Sequence, residues 1–140
     1  MQSTIVLRHS LNTAETEQLL QLFQAEWWTK GRTLEDIQTL LCGPSLIFAY
    51  FDQANKLVGF ARVLSDGVYK ALLFDVICRQ DQRGTGLGKR ILHDVTHHPA
   101  IKKVQHLELY CKDEMLPFYE KFGFSTELGG IQLMRRVKSI

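Results

Sequence analysis

The chain has 140 residues, of which 45% are apolar and 23% charged, and its 17 basic and 15 acidic residues leave a net charge of +2. This length supports one hydrophobic core, so we expect a single domain over residues 1–140. Basic and acidic residues are interleaved and the longest apolar run, Ser45–Phe51, is far below the roughly 20 residues of a membrane span, so we expect neither a nucleic-acid nor a membrane partner. Since Met1–Thr4 does not begin a basic and then apolar leader, we expect a cytoplasmic protein.

The first half of the chain predicts one strand followed by two helices. Ile5–Arg8 is a short strand. Asn12, three residues before an acid, is typical of a helix cap, and the helix should run to about Trp28. Thr33 has the same spacing to an acid and begins a second apolar stripe, which ends at Gly43 and the proline after it.

Three apolar runs with short connections follow, at Ser45–Phe51, Leu57–Leu64 and Val68–Cys78. Their spacing predicts an antiparallel meander. Within the third run, Ala71–Cys78 is apolar on both faces apart from Asp75, which is typical of a central strand covered on both sides.

The remainder mixes helices and strands, and gives the order β-α-α-β-β-β-α-β-α-β-β. We therefore predict an α/β fold, with a mixed and mostly antiparallel central sheet flanked by helices. The predicted elements are a helix from Leu87 to Val95, a strand at His106–Cys111, a helix at Asp113–Phe122, and two weak strands at Phe124–Glu127 and Ile131–Arg135.

The cysteines predict free thiols. Cys42, Cys78 and Cys111 are odd in number, widely spaced, and in or beside apolar segments. This pattern supports neither a disulfide framework nor a metal site, so we expect reduced and mostly buried thiols.

A glycine-rich loop, Gln82–Lys89, joins the third strand run to an amphipathic helix. Backbone N–H groups at a helix N-terminus bind anions, and glycines let the main chain approach phosphate oxygens. Arg83 and Lys89 would add charge-assisted contacts. The loop therefore predicts a phosphate site.

Spacing separates three kinds of phosphate loop. A Walker loop requires Gly at Arg83 and Ser or Thr at Arg90, and a dinucleotide fingerprint requires Gly at Lys89. The pattern that remains is Arg-x-x-Gly-x-Gly at Arg83, Gly86 and Gly88.

This pattern resembles the pyrophosphate loop of the GCN5-related N-acetyltransferase superfamily. Cys111–Phe124 resembles that family's closing segment, and Leu57–Arg62, with its glycine, matches the strand before the hairpin. Locally, the Pro-Phe-Tyr segment ending at Tyr119 is similar to arylalkylamine acetyltransferases, and the stretch from Trp27 to Val76 is similar to the serotonin-acetylating group. Lys112 stands where many members carry Asn, which departs from the pattern.

The resemblance implies an acetyl-CoA-dependent N-acetyltransferase that needs no metal and acts on the primary amine of a small molecule by direct attack. It places Tyr119 at the cofactor's sulfur, as the acid that protonates the leaving thiolate. The implied cofactor-binding residues are Ile77, Cys78, Arg83, Gly84, Thr85, Gly86, Leu87, Gly88 and Lys89. The alternatives are a route through an acyl group on Cys78, a peptide or protein N-acetyltransferase, and a CoA-binding module without turnover. A homodimer is compatible with each.

Asp75 is the predicted base, directly or through water, because a carboxylate in an apolar strand is costly to bury unless it is paired or used. The alternative is a structural ion pair with Arg62. A two-residue turn at Asp66 and Gly67 would place both side chains on one face, and a three-residue turn would not.

Trp27, Trp28, Arg32 and Asp66 are predicted to line the acceptor pocket, although burial of the tryptophans in the core is an equal alternative. His93 and His97 have the spacing of a zinc helix, but on a helical wheel they point away from the apolar stripe, which predicts surface histidines.

Overall fold

The computed structural model describes residues 4–138, which divide between Tyr110 and Cys111 into two compact units. The prediction of a single domain stays a prediction, and each unit is described separately. The elements of the first unit are β1 (Val6–Arg8), α1 (Thr13–Gln24), α2 (Leu34–Cys42), β2 (Leu46–Phe51), β3 (Leu57–Ser65), β4 (Lys70–Cys78), α3 (Leu87–His97), α4 (Pro99–Lys102) and β5 (His106–Leu109). The second unit contains α5 (Leu116–Glu120).

The five strands form one sheet in the order β1-β2-β3-β4-β5. The first four strands are antiparallel neighbours, whereas β5 pairs with β4 in parallel after a crossover through α3 and α4. The predicted mixed and mostly antiparallel sheet flanked by helices is confirmed. The short α4, which begins at a proline, was not predicted from the sequence.

Helices cover both faces of the sheet. On one face, α1 and α2 bury Leu19, Phe23 and Ile37 against Ile47 and Phe60 of the strands. On the other face, α3 buries the stripe of Leu87, Ile91, Leu92 and Val95 that its amphipathic sequence predicts. The hydroxyl of Tyr50 on β2 donates to Asp94 of α3 at 2.9 Å, so this second layer is tied to the sheet by a polar contact as well.

The first helix begins as predicted and ends earlier. Asn12 Oδ1 accepts from the backbone N–H of Glu15 at 2.8 Å, and Glu15 Oε1 accepts from the backbone N–H of Asn12 at 2.9 Å. The helix ends at Gln24 and not at Trp28. The hydroxyl of Thr29 donates to the carbonyl of Phe23 at 2.7 Å and draws the chain into successive turns, so the predicted helical extension is wrong.

The connection between β3 and β4 is longer than either turn considered above. Ser65 pairs with Ala71, and Asp66 closes the intervening loop because its carboxylate accepts N–H bonds from residues 68, 69 and 70 at 2.8, 2.8 and 3.1 Å. These bonds lower the pKa of Asp66. A two-residue or three-residue turn is therefore wrong.

The second unit is less regular than predicted. The expected helix at Asp113–Phe122 is a single 3-10 turn followed by α5. No strand forms in residues 124–138, so the predicted strands Phe124–Glu127 and Ile131–Arg135 are wrong. Gly129 and Gly130 both have positive φ, and Ile131 is 75% exposed, so no buried face sets a strand register there.

The thiols are free, but they are less buried than predicted. Cys42 and Cys111 are exposed, and Cys78 is partly buried. The expectation of mostly buried thiols is wrong because the first two lie at the ends of elements instead of inside the core. Within residues 4–138, no helix has both the length and the apolar composition needed to cross a membrane.

Candidate active site

The C-terminal half of β4 has an unpaired edge inside the sheet. The last pair between β4 and β5 joins Leu73 and Leu109, yet β4 continues to Cys78. The backbone groups that residues 74–78 turn away from β3 therefore have no β5 partner. The predicted cofactor residues Ile77 and Cys78 lie in this stretch, where an extended polar ligand could pair with the main chain.

The glycine loop leads from this strand into α3. Gly84 and Gly86 have φ values of +79° and +90°, a conformation that favours glycine. The first intrahelical bond of α3 runs from the N–H of Arg90 to the carbonyl of Gly86 at 3.0 Å. The N–H groups of Leu87, Gly88 and Lys89 precede it and have no helical acceptor, so they are available to an anion. The hydroxyl of Thr85 donates back to Gln82 at 2.5 Å.

Gly59 on β3 allows α3 to lie close to the sheet. A Cβ added at this position would meet Leu87 Cδ2 at 3.0 Å and Ile91 Cδ1 at 3.4 Å. Because the Leu87 side chain would have to shift to admit even a Cβ, Gly59 allows the start of α3 to pack close to β3.

A groove of about 500 Å³ lies beside this loop, and its wall includes Glu26, Ile77, Cys78 and Arg83. It brings together three of the predicted cofactor residues. Arg83 Nη2 donates to Glu26 Oε1, so the arginine of the loop is held by an acid from the segment that follows α1. Burial raises the pKa of the Cys78 thiol, Arg83 partly offsets this effect, and Glu26 adds to it.

Asp75 lies at the centre of an ion cluster. Its Oδ2 accepts from Arg32 Nη1 and from Arg62 Nε, both at 2.7 Å, and its Oδ1 accepts from Arg32 Nη2 at 2.9 Å. The Asp75 side chain is only 4% exposed. The ion pair with Arg62, given above as an alternative, is therefore present, and the predicted acceptor residue Arg32 joins it. The base role of Asp75 stays a prediction.

Asp75 lies in a β-bulge of β4, which directs its side chain toward Arg32 and Arg62. Phe60 pairs with Ile77 and Arg62 pairs with Phe74, so between these two pairs β4 contains one residue more than β3. Asp75 has a φ of +57°, which is unusual for a residue other than glycine. Such a conformation costs about 1 to 3 kcal/mol and persists where the surroundings hold it, here through three charged hydrogen bonds.

Other predicted acceptor residues are dispersed. Trp27 and Trp28 are 67% and 46% exposed, so the alternative of core burial is wrong. Their rings contact each other edge to face at 5.9 Å. Asp66 closes the turn before β4, whereas the glycine loop follows β4, so the length of that strand, roughly 25 Å, separates them.

Tyr119 belongs to the second unit. It is buried in α5, and its ring contacts those of Phe118 and Phe124 at centroid distances of 5.1 and 5.9 Å. Its role as an acid stays a prediction.

The paired histidines face solvent, as the helical wheel predicts. His93 and His97 are both exposed and their rings stack at 4.1 Å. In the part of the chain that the structure describes, no group of three or more His, Cys, Asp or Glu side chains could hold a metal ion.

Sequence reasoning missed Glu26. It is one polar residue among several after α1, and its partner Arg83 is 57 positions away, so no local pattern indicates the contact. The pairing of Arg32 with Asp75, over 43 positions, was missed for the same reason.

Comparison with known proteins identifies the family. Residues 12–135 match the profile of the acetyltransferase (GNAT) domain. The chain is 32% identical over 120 residues to the uncharacterised N-acetyltransferase ycf52 of Pyropia yezoensis, which covers 84% of this chain and 68% of that protein. It is 30% identical over 86 residues to serotonin N-acetyltransferase 2 (chloroplastic) of Oryza sativa subsp. japonica, covering 61% and 43% of the two chains.

Among solved structures, one from Xanthomonas campestris pv. campestris that is assigned to the GNAT family superposes with a TM-score of 0.81. It is 28% identical, and the alignment covers 96% of this chain and 94% of that one. The profile match spans most of the chain, and the five-stranded sheet flanked by helices agrees with it. The chain belongs to the GNAT acetyltransferase family and is an N-acetyltransferase.

Proposed function

We propose that this protein transfers an acetyl group from acetyl-CoA to the primary amine of a small molecule. Use of acetyl-CoA is typical of the family. The observation that carries the proposal is the open N-terminus of α3, where Gly86 supplies no capping side chain and the next three N–H groups precede the first helical bond. These donors lie beside the unpaired edge of β4.

The residues present fit such a ligand. The N–H groups of Leu87, Gly88 and Lys89 and the side chains of Arg83 and Lys89 would bind a diphosphate. The main chain at Ile77 and Cys78 would bind an extended amide arm through strand-like hydrogen bonds. When bound, acetyl-CoA supplies the thioester carbonyl that the amine attacks and the thiolate that leaves.

The amine must lose a proton before it can attack, since an alkylammonium has a pKa of about 10. Asp75 is the proposed acceptor of this proton through a water molecule. Both of its oxygens already accept guanidinium N–H bonds, so direct contact with the amine would require Arg32, the more exposed partner, to move. Tyr119 is the proposed donor of the proton to the leaving sulfur.

Direct attack is favoured over an acyl-cysteine route. Burial raises the pKa of the Cys78 thiol, so at neutral pH this group is protonated. Because the thiolate is the nucleophilic form, Cys78 is a poor nucleophile in this environment.

The proposal is tested by titrating the protein with CoA in a calorimeter, and by measuring thiol release from acetyl-CoA with aryl-alkylamines, polyamines and amino acids. Saturable CoA binding with amine-dependent thiol release supports it. Absence of CoA binding at millimolar concentration would overturn it, and CoA binding without transfer to any amine would favour a binding module.

Tyr119→Phe tests the proposed acid. We expect turnover to fall at least about tenfold, the lower range for loss of a general acid, while the Kd for CoA changes less than about twofold. Tyr69→Phe, at an exposed tyrosine of the β3–β4 connection, is the matched control. Unchanged turnover in Tyr119→Phe would remove Tyr119 from the acid role.

A further inference from the structure

The cluster around Asp75 carries more positive than negative charge. Two guanidinium groups, of Arg32 and Arg62, share one carboxylate, and within residues 4–138 neither arginine is ion-paired with another acid. The arginine side chains are 28% and 16% exposed, so water screens the excess charge only in part. A partly desolvated and uncompensated cation is costly unless an anion joins it.

Both arginines retain hydrogen-bond donors. Arg32 uses one N–H on each terminal nitrogen for Asp75. Arg62 uses its Nε for Asp75, and its Nη1 makes a long contact of 3.5 Å with Ser45 Oγ. Since a guanidinium has five N–H donors, each side chain keeps several for a further acceptor, and planar forks of this kind suit carboxylate and phosphate oxygens.

Aromatic rings fix the two guanidinium groups. Arg32 Cζ lies 4.6 Å from the centre of the Phe23 ring, and Arg62 Cζ lies 4.6 Å from that of Phe74. The carboxylate and the rings together restrict the rotamers of both side chains. The remaining donors are therefore preorganised, which lowers the entropic cost of binding an anion.

The cluster lies where the proposed reaction would take place. Asp75 belongs to the stretch of β4 that continues past the pairing with β5, three residues before Cys78 in the groove. Arg32 approaches Asp75 from the segment between α1 and α2, and α1 also supplies part of the groove wall. An acceptor whose amine is directed at this stretch would have its other substituents near the arginines.

We propose that the acceptor is an amine that also carries an anionic group, a carboxylate or a phosphate, and that Arg32 and Arg62 bind this group. The inference rests on the proposed acetyl transfer. The excess positive charge repels an ammonium group, which disfavours polyamines and favours the neutral form of the attacking amine. An anionic substituent offsets this repulsion during binding, so amino acids should be preferred over the amines that lack the carboxylate.

Matched pairs of acceptors test the proposal. Tyrosine against tyramine isolates a carboxylate, and phosphoethanolamine against ethanolamine isolates a phosphate. We would measure the Kd of each by calorimetry with CoA-saturated protein, and kcat/KM by thiol release. In at least one pair, the anionic member should bind about tenfold or more tightly, as expected for a charge-assisted contact.

Arg32→Gln should reduce that preference to within about threefold, because it removes one charge of the cluster. Arg32→Lys should retain part of it. Lys30→Gln, which removes an exposed cation from the same segment, is the matched control and should keep the full preference. Circular dichroism and CoA binding verify that each variant is folded.

The outcomes separate the two proposals. CoA binding and acetyl transfer with equal or weaker binding of both anionic members would overturn the anionic acceptor and leave acetyl transfer intact. A preference that survives unchanged in Arg32→Gln would overturn the role of Arg32. Failure to bind CoA would overturn the proposed function itself, and with it this inference.

Discussion

The N-terminus of α1 is capped by side chains of the chain itself, whereas the N-terminus of α3 has no side-chain cap. Asn12 and Glu15 satisfy each other's backbone N–H groups at the start of α1, and Glu15 is also ion-paired with Arg8. At the start of α3, Gly86 has no side chain to offer and the first turn contains no acid. The chain therefore completes α1 from its own residues, whereas the N–H groups at the start of α3 precede its first helical bond and have no helical acceptor.

Charge sharpens this contrast. The positive end of a helix dipole is stabilised by acids, as Glu15 does for α1. The first turn of α3 instead carries Lys89 and Arg90, which the dipole disfavours. This arrangement is unfavourable for the isolated helix and would become favourable if an anion bound there. Arg90 also has contacts within the fold, because it donates to the carbonyl of Ile5 and pairs with Asp94.

The largest expected effect comes from closing α3 in the way that α1 is closed. Gly86→Asp would place a carboxylate at the N-cap, where it competes with phosphate oxygens for the same N–H groups and repels them. We expect the Kd for CoA to rise by roughly 100-fold, equivalent to the loss of one or two charge-assisted hydrogen bonds. Calorimetry measures it.

The matched control is Gly67→Asp in the β3–β4 connection, where φ is also positive at +79° and no atom lies within 4 Å of an added Cβ. It should show a similar loss of stability on thermal unfolding with unchanged CoA affinity. Equal CoA affinity in Gly86→Asp and in the native protein would contradict the proposal that the uncapped N-terminus of α3 binds the cofactor.

A smaller effect is expected when the side-chain cap at the N-terminus of α1 is removed. Asn12→Ala removes the acceptor for the N–H of Glu15, so the free energy of unfolding should fall by about 1 kcal/mol. Urea denaturation measures this change, and the Kd for CoA should stay the same. A loss of CoA affinity comparable to the loss in Gly86→Asp would show that the two helix ends do not differ in role.

The smallest effect concerns the acid that holds the loop. Glu26→Gln removes the carboxylate that pairs with Arg83, so this arginine becomes available and a negative charge leaves the groove. We expect CoA affinity to rise by about two- to fivefold, the range of a partly exposed ion pair. Glu17→Gln on α1 is the control. Weaker CoA binding in Glu26→Gln would show that Glu26 supports the cofactor site.

Local patterns predicted the parts of the fold that depend on neighbours in sequence. The cap at Asn12, the strand run that became β4 and the glycines at 84 and 86 all act within a few residues of themselves. For the cluster at Asp75, the sequence predicted that a buried carboxylate needs a partner and gave Arg62 as one alternative. The geometry of this cluster also depends on a β-bulge and on Arg32. Neither of these can be recognised from the alternation of apolar residues in the sequence.

Near the end of the chain, the sequence has the pattern of a strand but no strand forms. Ile131–Arg135 has the composition of a strand, but a strand also requires a neighbour and a buried face. Ile131, Leu133 and Met134 are 75%, 63% and 92% exposed, so the sequence pattern was present without the packing that makes it a strand.

The early end of pairing between β4 and β5 also affects what can reach this sheet. Strands at the rim of a sheet recruit strands from other molecules and promote aggregation. The open edge of β4 lies in the interior of the sheet, with β3 on one side and the end of β5 on the other. The open stretch is short, because it covers only residues 74–78 of β4. It therefore offers strand-like hydrogen bonds to a short extended molecule over a few residues, whereas a strand at the rim of a sheet offers them over its whole length.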